Sequence, residues 1–217
     1  MKHFTITICT AALLFACKGN DKKADEAKKD ETAVAAASTT QPSNQAIPDS
    51  VVEKNWMKYM TPSKEHALMA SWDGTWNGEV SVWMKPGTDP SKSTTVTTNK
   101  MVLGGRYQQS THKGSFNGMP FEGMSTLAFD NAKKVFLSTW IDNMGTGIMT
   151  GEGTWDDATQ SITLKGKVMD PGQSKDVDYR EVFTVIDKDH QRTEMYGINP
   201  TDGKEFKTME IKFTRKK

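Results

Sequence analysis

The chain has 217 residues, of which 35% are hydrophobic and 25% charged, with a formal net charge of +1. That size suits one globular domain with an appendage better than two full domains. Acidic and basic residues balance from Val51 onward, which argues against nucleic acid as a partner.

Met1-Lys2-His3 precedes thirteen mostly apolar residues, Phe4 to Ala16. This is the length of a signal-peptide hydrophobic region and too short to span a bilayer. Leu14-Phe15-Ala16-Cys17 resembles the lipobox of bacterial lipoproteins, in which cleavage before the cysteine leaves a new N-terminus that carries lipid. The resemblance implies a lipoprotein signal peptide over residues 1–16 and palmitate-type acylation at Cys17. Cysteine usage agrees, because Cys9 lies inside the discarded segment and the mature chain then holds Cys17 alone, without a disulfide partner. Ordinary secretory cleavage is the alternative, and Leu14 suits its small-residue site poorly. The expected location is the cell envelope, lipid-anchored to a membrane on its periplasmic or cell-surface face.

Residues 17–50 read as the acylated cysteine and a disordered tether. After Cys17 the composition turns to Lys, Asp, Glu, Ala, Ser, Thr and Gln, with no aromatic residue and only Val34 and Ile47 as large aliphatics. Such a segment buries too little apolar surface to offset the entropy of ordering it. Its five lysines face six acids, so it has little grip on anionic lipid.

The folded domain is expected over residues 51–217, beginning with one or two short helices. Ser50-Val51-Val52-Glu53 has capping-box spacing, and Val52, Trp56, Tyr59 and Met60 form one helical stripe that ends near Thr61-Pro62. Pro62 suits the first position of a second helix through Glu65, His66, Leu68 and Met69, with Leu68 and Trp72 on one face and Asp73-Gly74 closing it.

After Gly74 the pattern changes to short β-branched and aromatic runs punctuated by turn-formers. Strands are predicted near 75–84, 93–103, 106–113, 120–129, 135–142, 147–155, 161–169, 177–186, 192–198 and 205–215. Connectors such as Pro86-Gly87, Gly104-Gly105, Asn117-Gly118, Asp130-Asn131, Asp170-Pro171-Gly172 and Asp202-Gly203 are short, which favours antiparallel neighbours. About ten consecutive strands without covering helices must close or split, because an open sheet that wide leaves edges exposed. The fold class read here is all-β, a roughly ten-stranded antiparallel up-and-down barrel.

Alternation assigns faces in some strands: Trp76, Gly78, Val80, Val82 and Met84 oppose Thr75, Asn77, Glu79 and Ser81, and Met209, Ile211 and Phe213 oppose their polar neighbours. The second and third strands place uncharged polar groups, Thr94 to Asn99 and Gln108 to His112, on both faces. Gly147, Gly151 and Gly153 leave a stripe without side chains. These features fit a partly hollow, wet interior; a solvated edge with glycines that permit coiling is the alternative.

No metal or cofactor is implied. His66, His112 and His190 lack partners at metal-ligand spacing, the last strand offers no histidine for haem, and no hydrolase, zincin, Walker or dinucleotide motif is present. Acid-base chemistry would need Asp142, Glu152 or Glu122 buried. Trp83, Trp140, Trp155, Met149 and Met169 form either a pocket lining or ordinary core.

Gly74-Thr75-Trp76 resembles the G-x-W signature of the lipocalin and calycin barrels. A longer set looks like the bacterial domain-of-unknown-function family 1579, over about Pro62 to Lys216. Its members are His66-x-Leu68, Trp83-x-x-Pro86-Gly87, Leu103-Gly-Gly-Arg-Tyr107, Gly118-Met-Pro-Phe-Glu-Gly123, Asp130-Asn131, Ser138-Thr-Trp-Ile-Asp142 and Gly203-Lys-Glu-Phe206. Ala128-Phe129 stands where that family tends toward Gly-Tyr. The resemblance implies a calycin-like barrel without an established activity, in which Trp76 and Arg215 form a structural cation-π pair at the barrel floor.

The function expected from this reading is small-molecule binding inside the barrel, with Arg106, Tyr107, Gln109, Trp140, Asp142 and Met149 as the pocket. Two alternatives are an envelope structural or interaction lipoprotein, which would show an exposed aromatic patch, and an isomerase, cyclase or hydrolase using a buried carboxylate or His66.

Overall fold

The computed structural model describes residues 46–217; the expected signal peptide, the expected acylation site Cys17 and most of the expected tether lie outside them. Two helices, α1 (Asp49–Met60) and α2 (Lys64–Ala70), precede ten strands. The strands are β1 (Gly74–Val82), β2 (Ser91–Val102), β3 (Tyr107–Phe116), β4 (Met119–Asp130), β5 (Val135–Asp142), β6 (Met149–Asp156), β7 (Ser161–Asp170), β8 (Lys175–Val185), β9 (His190–Ile198) and β10 (Glu205–Arg215). Each pairs antiparallel with its sequence neighbours, and β1 pairs with β10 from Trp76↔Arg215 to Val82↔Met209, closing the barrel. Closure leaves no sheet edge, as so many short hairpins require.

Both helix starts differ from expectation. α1 begins after Pro48, with no side-chain cap, so Ser50 sits inside its first turn rather than ahead of it. Pro62 precedes α2 instead of opening it; Ser63 is the cap residue, and its backbone N–H donates to His66 Nδ1 at 2.9 Å. A histidine thus fills the role usually taken by Glu or Gln in a capping box.

α2 seals one end of the barrel. Met69 and Trp72 pack with Phe129, Phe136, Ile162 and Leu164, and Leu68, Leu127, Trp155 and Phe183 surround them. Trp72 meets Phe183 and Trp155 at ring-centroid distances of 4.9 and 6.0 Å. The carbonyls at the end of α2 lack helical partners, and inward polar side chains supply them. Gln108 Nε2 donates to Met69 O at 2.6 Å and Asn99 Nδ2 to Trp72 O at 3.2 Å, while Trp76 Nε1 also donates to Trp72 O. Part of the polarity of β2 and β3 is therefore devoted to the floor.

Arg215 completes this floor. Its guanidinium lies 4.1 Å from the Trp76 ring and donates to Asp73 O at 2.6 Å and Ser71 O at 3.0 Å. Asn131, in the β4–β5 turn, donates through Nδ2 to the carbonyls of Lys58, Tyr59 and Thr61, which fixes the end of α1 at the same pole. No residue of α1 is buried, so its stripe of Val52, Trp56, Tyr59 and Met60 faces outward rather than into the core.

Candidate functional site

Strand direction sets the two poles. The turns after β2, β4, β6 and β8 lie at the floor with α2, and those after β1, β3, β5, β7 and β9 lie at the opposite pole, where no described helix crosses. Inward side chains are buried near the floor, as with Trp76, Phe136 and Ile162. Toward the other pole Val80, Val82, Phe121, Ser138, Trp140, Met149, Glu181, Thr193 and Met195 share that inward parity, yet all retain accessible surface. An interior filled to the density of a protein core would bury them fully, so this half is packed less tightly than the floor, while the cavities beside Asn77, Glu79 and Thr94 and beside Lys165, Arg180 and Glu205 open on the outer wall.

Aromatic rings lie along the inner wall of this half instead of across it, because glycines seat them. A Cβ added at Gly123 would fall 2.6 Å from the Trp140 ring, and one at Gly151 would fall 2.6 Å from the Tyr179 hydroxyl and 3.0 Å from Ser138 Oγ. Gly166 lies beneath the Tyr179 ring. Of the expected glycine stripe, Gly153 accommodates close backbone approach by Thr163, and Gly147 falls in the β5–β6 loop ahead of the strand.

Three polar groups lie on the inward face of this half. His112 Nδ1 lies 2.8 Å from Thr97 Oγ1 and its ring meets Trp140 edge-on at 4.9 Å, but Nε2 has no hydrogen-bond partner. Burial pushes the His112 pKa down to about 4, so the ring is neutral at physiological pH. The Tyr179 hydroxyl is likewise buried, and burial, with Glu181 nearby, pushes it up to about 12 against the lowering effect of the Ser138 hydroxyl beside it. Glu181 shares the inward face of β8 with Tyr179 and Phe183 and sits between Leu164 and Met195 on adjacent strands. Burial alone raises its pKa to about 7, although the residue as a whole is only half-buried. Buried polar groups are normally satisfied, so the unpaired His112 Nε2 and the buried Glu181 carboxyl stand out on this inward face.

The residues expected in the pocket divide. Trp140, Asp142 and Met149 are brought together at the open pole, where Trp140 pairs with Met149 across β5 and β6. Asp142 accepts from Trp140 Nε1 at 2.7 Å and from the Met144 and Gly145 N–H groups, which makes it the anchor of the rim loop. Arg106, Tyr107 and Gln109 are corrected. Gln108 points inward to the floor, so its neighbours Tyr107 and Gln109 face outward, and Arg106 donates to the Leu103 and Gly104 carbonyls in a floor-side turn. Glu152 and Glu122 lie outside the wall, the latter 3.3 Å from Lys113. His66 is buried beneath the floor against Phe129. Trp155 belongs to the floor, Trp83 lies under Lys207 Nζ, and Met169 is exposed at the rim.

Sequence reading missed Glu181 and the role of His112. The signal for Glu181 was present: Val177, Tyr179, Glu181, Phe183 and Val185 alternate, so a carboxyl interrupts an otherwise apolar inward stripe.

Exposed apolar side chains ring the open pole, one or more at every connection: Met84, Met119, Met144, Ile148, Met169 and Ile198. A shallow groove on the outer wall lies between Lys165, Lys167, Arg180 and Glu205, but Arg180 is already held by Glu205 at 2.6 and 2.9 Å and by the Tyr196 ring at 3.8 Å.

A family model described as a protein of unknown function (DUF1579) matches residues 61–215. No curated protein matches the chain. Solved structures similar in fold include the following two. The crystal structure of Rv2717c from M. tuberculosis has 12% identity and a TM-score of 0.52, covering 72% of this chain and 100% of that one. The S-type phycobiliprotein lyase CPES from Guillardia theta has 10% identity and a TM-score of 0.52, covering 75% and 97%.

Proposed function

The chain belongs to the DUF1579 family, and from that footing we propose that its barrel binds a small organic molecule in the lumen, admitted through the apolar rim. The observation that supports this reading is the combination of a sealed floor with a less tightly packed upper half whose inward face carries the unpaired His112 Nε2 and the Glu181 carboxyl, which no hydrogen bond among the described residues reaches. A flat aromatic wall with a few convergent polar groups is the usual composition of a ligand site. The likeness in fold to a phycobiliprotein lyase supports a barrel that handles a small organic group. Native mass spectrometry of the full chain, before and after solvent extraction, tests the idea, together with quenching of Trp140 fluorescence by apolar probes. Saturable quenching that Trp140→Phe removes is the expected result. Absence of any bound mass and of saturable quenching would overturn it.

Anchoring is the second part of the proposal: the barrel is carried as an envelope lipoprotein through Cys17. The lipobox-like Leu14-Phe15-Ala16-Cys17 and the lack of any other cysteine after it support this. Labelled palmitate should enter the wild-type protein and not Cys17→Ser; equal labelling of both would reject acylation at that sulfur.

An interaction role is a second reading, favoured by one observation: Trp56, Met57, Tyr59 and Met60 of α1 are all exposed. Trp56→Ala should then weaken association with a partner while leaving ligand binding unchanged.

A further inference from the structure

We infer that the lumen selects a cationic ligand, an apolar or aromatic amine whose ammonium group donates to the Glu181 carboxylate. The inference rests on the lumen being the binding site and specifies its chemistry.

Glu181 has no counter-charge. Its neighbours across the ladder are Leu164 on β7 and Met195 on β9, and its neighbours along β8 are Tyr179 and Phe183. Among the described residues no hydrogen bond reaches its carboxyl group, and its only resolved perturbation is burial. The basic residues of the surrounding strands have outward parity: Lys165, Lys167, Arg180, Arg192, Lys207 and Lys212. Arg215, which has inward parity, is held beneath the floor by Ser71, Asp73 and Trp76.

The other titratable groups facing the lumen supply no positive charge. His112 on β3 is neutral, Tyr179 on β8 is a phenol, and Asp142 on β5 is engaged by Trp140, Met144 and Gly145. An anionic guest would add a second uncompensated charge, and an alcohol would offer one hydrogen bond without charge. An ammonium supplies both the missing charge and the donors. The rings of Trp140, Phe121 and Tyr179 along the wall further favour an organic cation through their negative faces.

A matched series separates these cases: phenylbutylamine, phenylbutanol and phenylbutanoate, titrated calorimetrically into the full-length protein. At pH 8 the amine should bind at least about tenfold more tightly than the alcohol, as expected of a charge-assisted hydrogen bond, with the carboxylate weakest. The amine stays protonated between about pH 6 and pH 8, so its affinity should rise roughly tenfold over that range as Glu181 ionises, while the alcohol's stays level. Glu181→Gln should abolish both the preference and the pH dependence. If that variant does not fold, the wild-type pH profiles decide. An alcohol or carboxylate that binds as tightly as the amine, or an amine affinity independent of pH, would overturn the charge assignment while leaving a binding lumen. Failure of all three probes would overturn the lumen reading and this inference with it.

Discussion

The floor and the open pole are built from the same ten strands and the same alternation, yet they do opposite work. At the floor the inward positions are large and apolar, the polar ones are committed to helix carbonyls, and buried surface accumulates around Met69, Trp72 and Phe136. Toward the rim apolar positions such as Val80, Val82 and Met195 alternate with Gly, Ser, Thr, His and Glu, and the Trp140 and Tyr179 rings lie against glycines. The fold is stabilised at one pole, and the other keeps groups whose solvation is unmet. A barrel in this arrangement confines its marginal energetics to the half that has to accept a guest.

The contrast predicts that truncations at the two poles cost very different amounts. Phe136→Ala, at the fully buried floor, should lower unfolding free energy by about 3–5 kcal/mol in urea denaturation. Trp140→Ala, partly exposed at the rim, should cost well under half of that and lose ligand quenching. Equal costs would break the division into two halves.

Next in size is the response to pH. The folded Glu181 pKa of about 7 exceeds its ordinary 4.5, so the folded state keeps a proton that the unfolded chain has released. Stability from this group therefore falls as pH rises through that window and stays reduced above it, by up to about 3 kcal/mol. His112 acts in the opposite sense. Its folded value of about 4 lies below 6.5, so stability falls as pH drops between those values. From about pH 4.5 to 6.5 the two slopes oppose each other. Glu181→Gln should stabilise the ligand-free barrel at pH 8 and expose the His112 slope in acid; a variant no more stable than wild type at pH 8 would show Glu181 to be well solvated.

Arg215→Met comes third. It removes the Trp76 contact and leaves the Ser71 and Asp73 carbonyls short of a donor, so thermal unfolding should report a loss of about 2 kcal/mol with ligand affinity unchanged. The smallest effect belongs to Gly151→Ala, whose methyl must push the Tyr179 hydroxyl away. About 1 kcal/mol of stability should be lost, while calorimetry should record a clear change in guest affinity, since the ring moves into the lumen.

Much of the fold was legible because turn residues and period-two alternation are local. Asn117-Gly118, Asp130-Asn131 and Asp202-Gly203 mark turns where the chain reverses, and closure followed from the strand count. The inward phase of β3 was not legible, because Gln108, Gln109, Ser110 and Thr111 are polar on both faces. It is set by contacts distant in sequence, such as the bonds from Gln108 to Met69 O across 39 positions and to Asp73. That is why the sequence places Tyr107 and Gln109 on the inward face although they point outward, while Trp140 and Met149 do have inward parity. The depth of Glu181 depends on how the strands stagger around the barrel, which no local pattern encodes.

The glycine seats differ in what holds them. At Gly166 a side chain would collide with the Thr150 carbonyl, so the ladder itself forbids it, whereas at Gly123 and Gly151 only the Trp140, Phe121, Tyr179, Ser138 and Leu164 side chains stand in the way. Single-carbon substitutions at those two places can reshape the chamber without disturbing a backbone hydrogen bond. Descendants of one scaffold thus have a cheap route to accommodating guests of different girth.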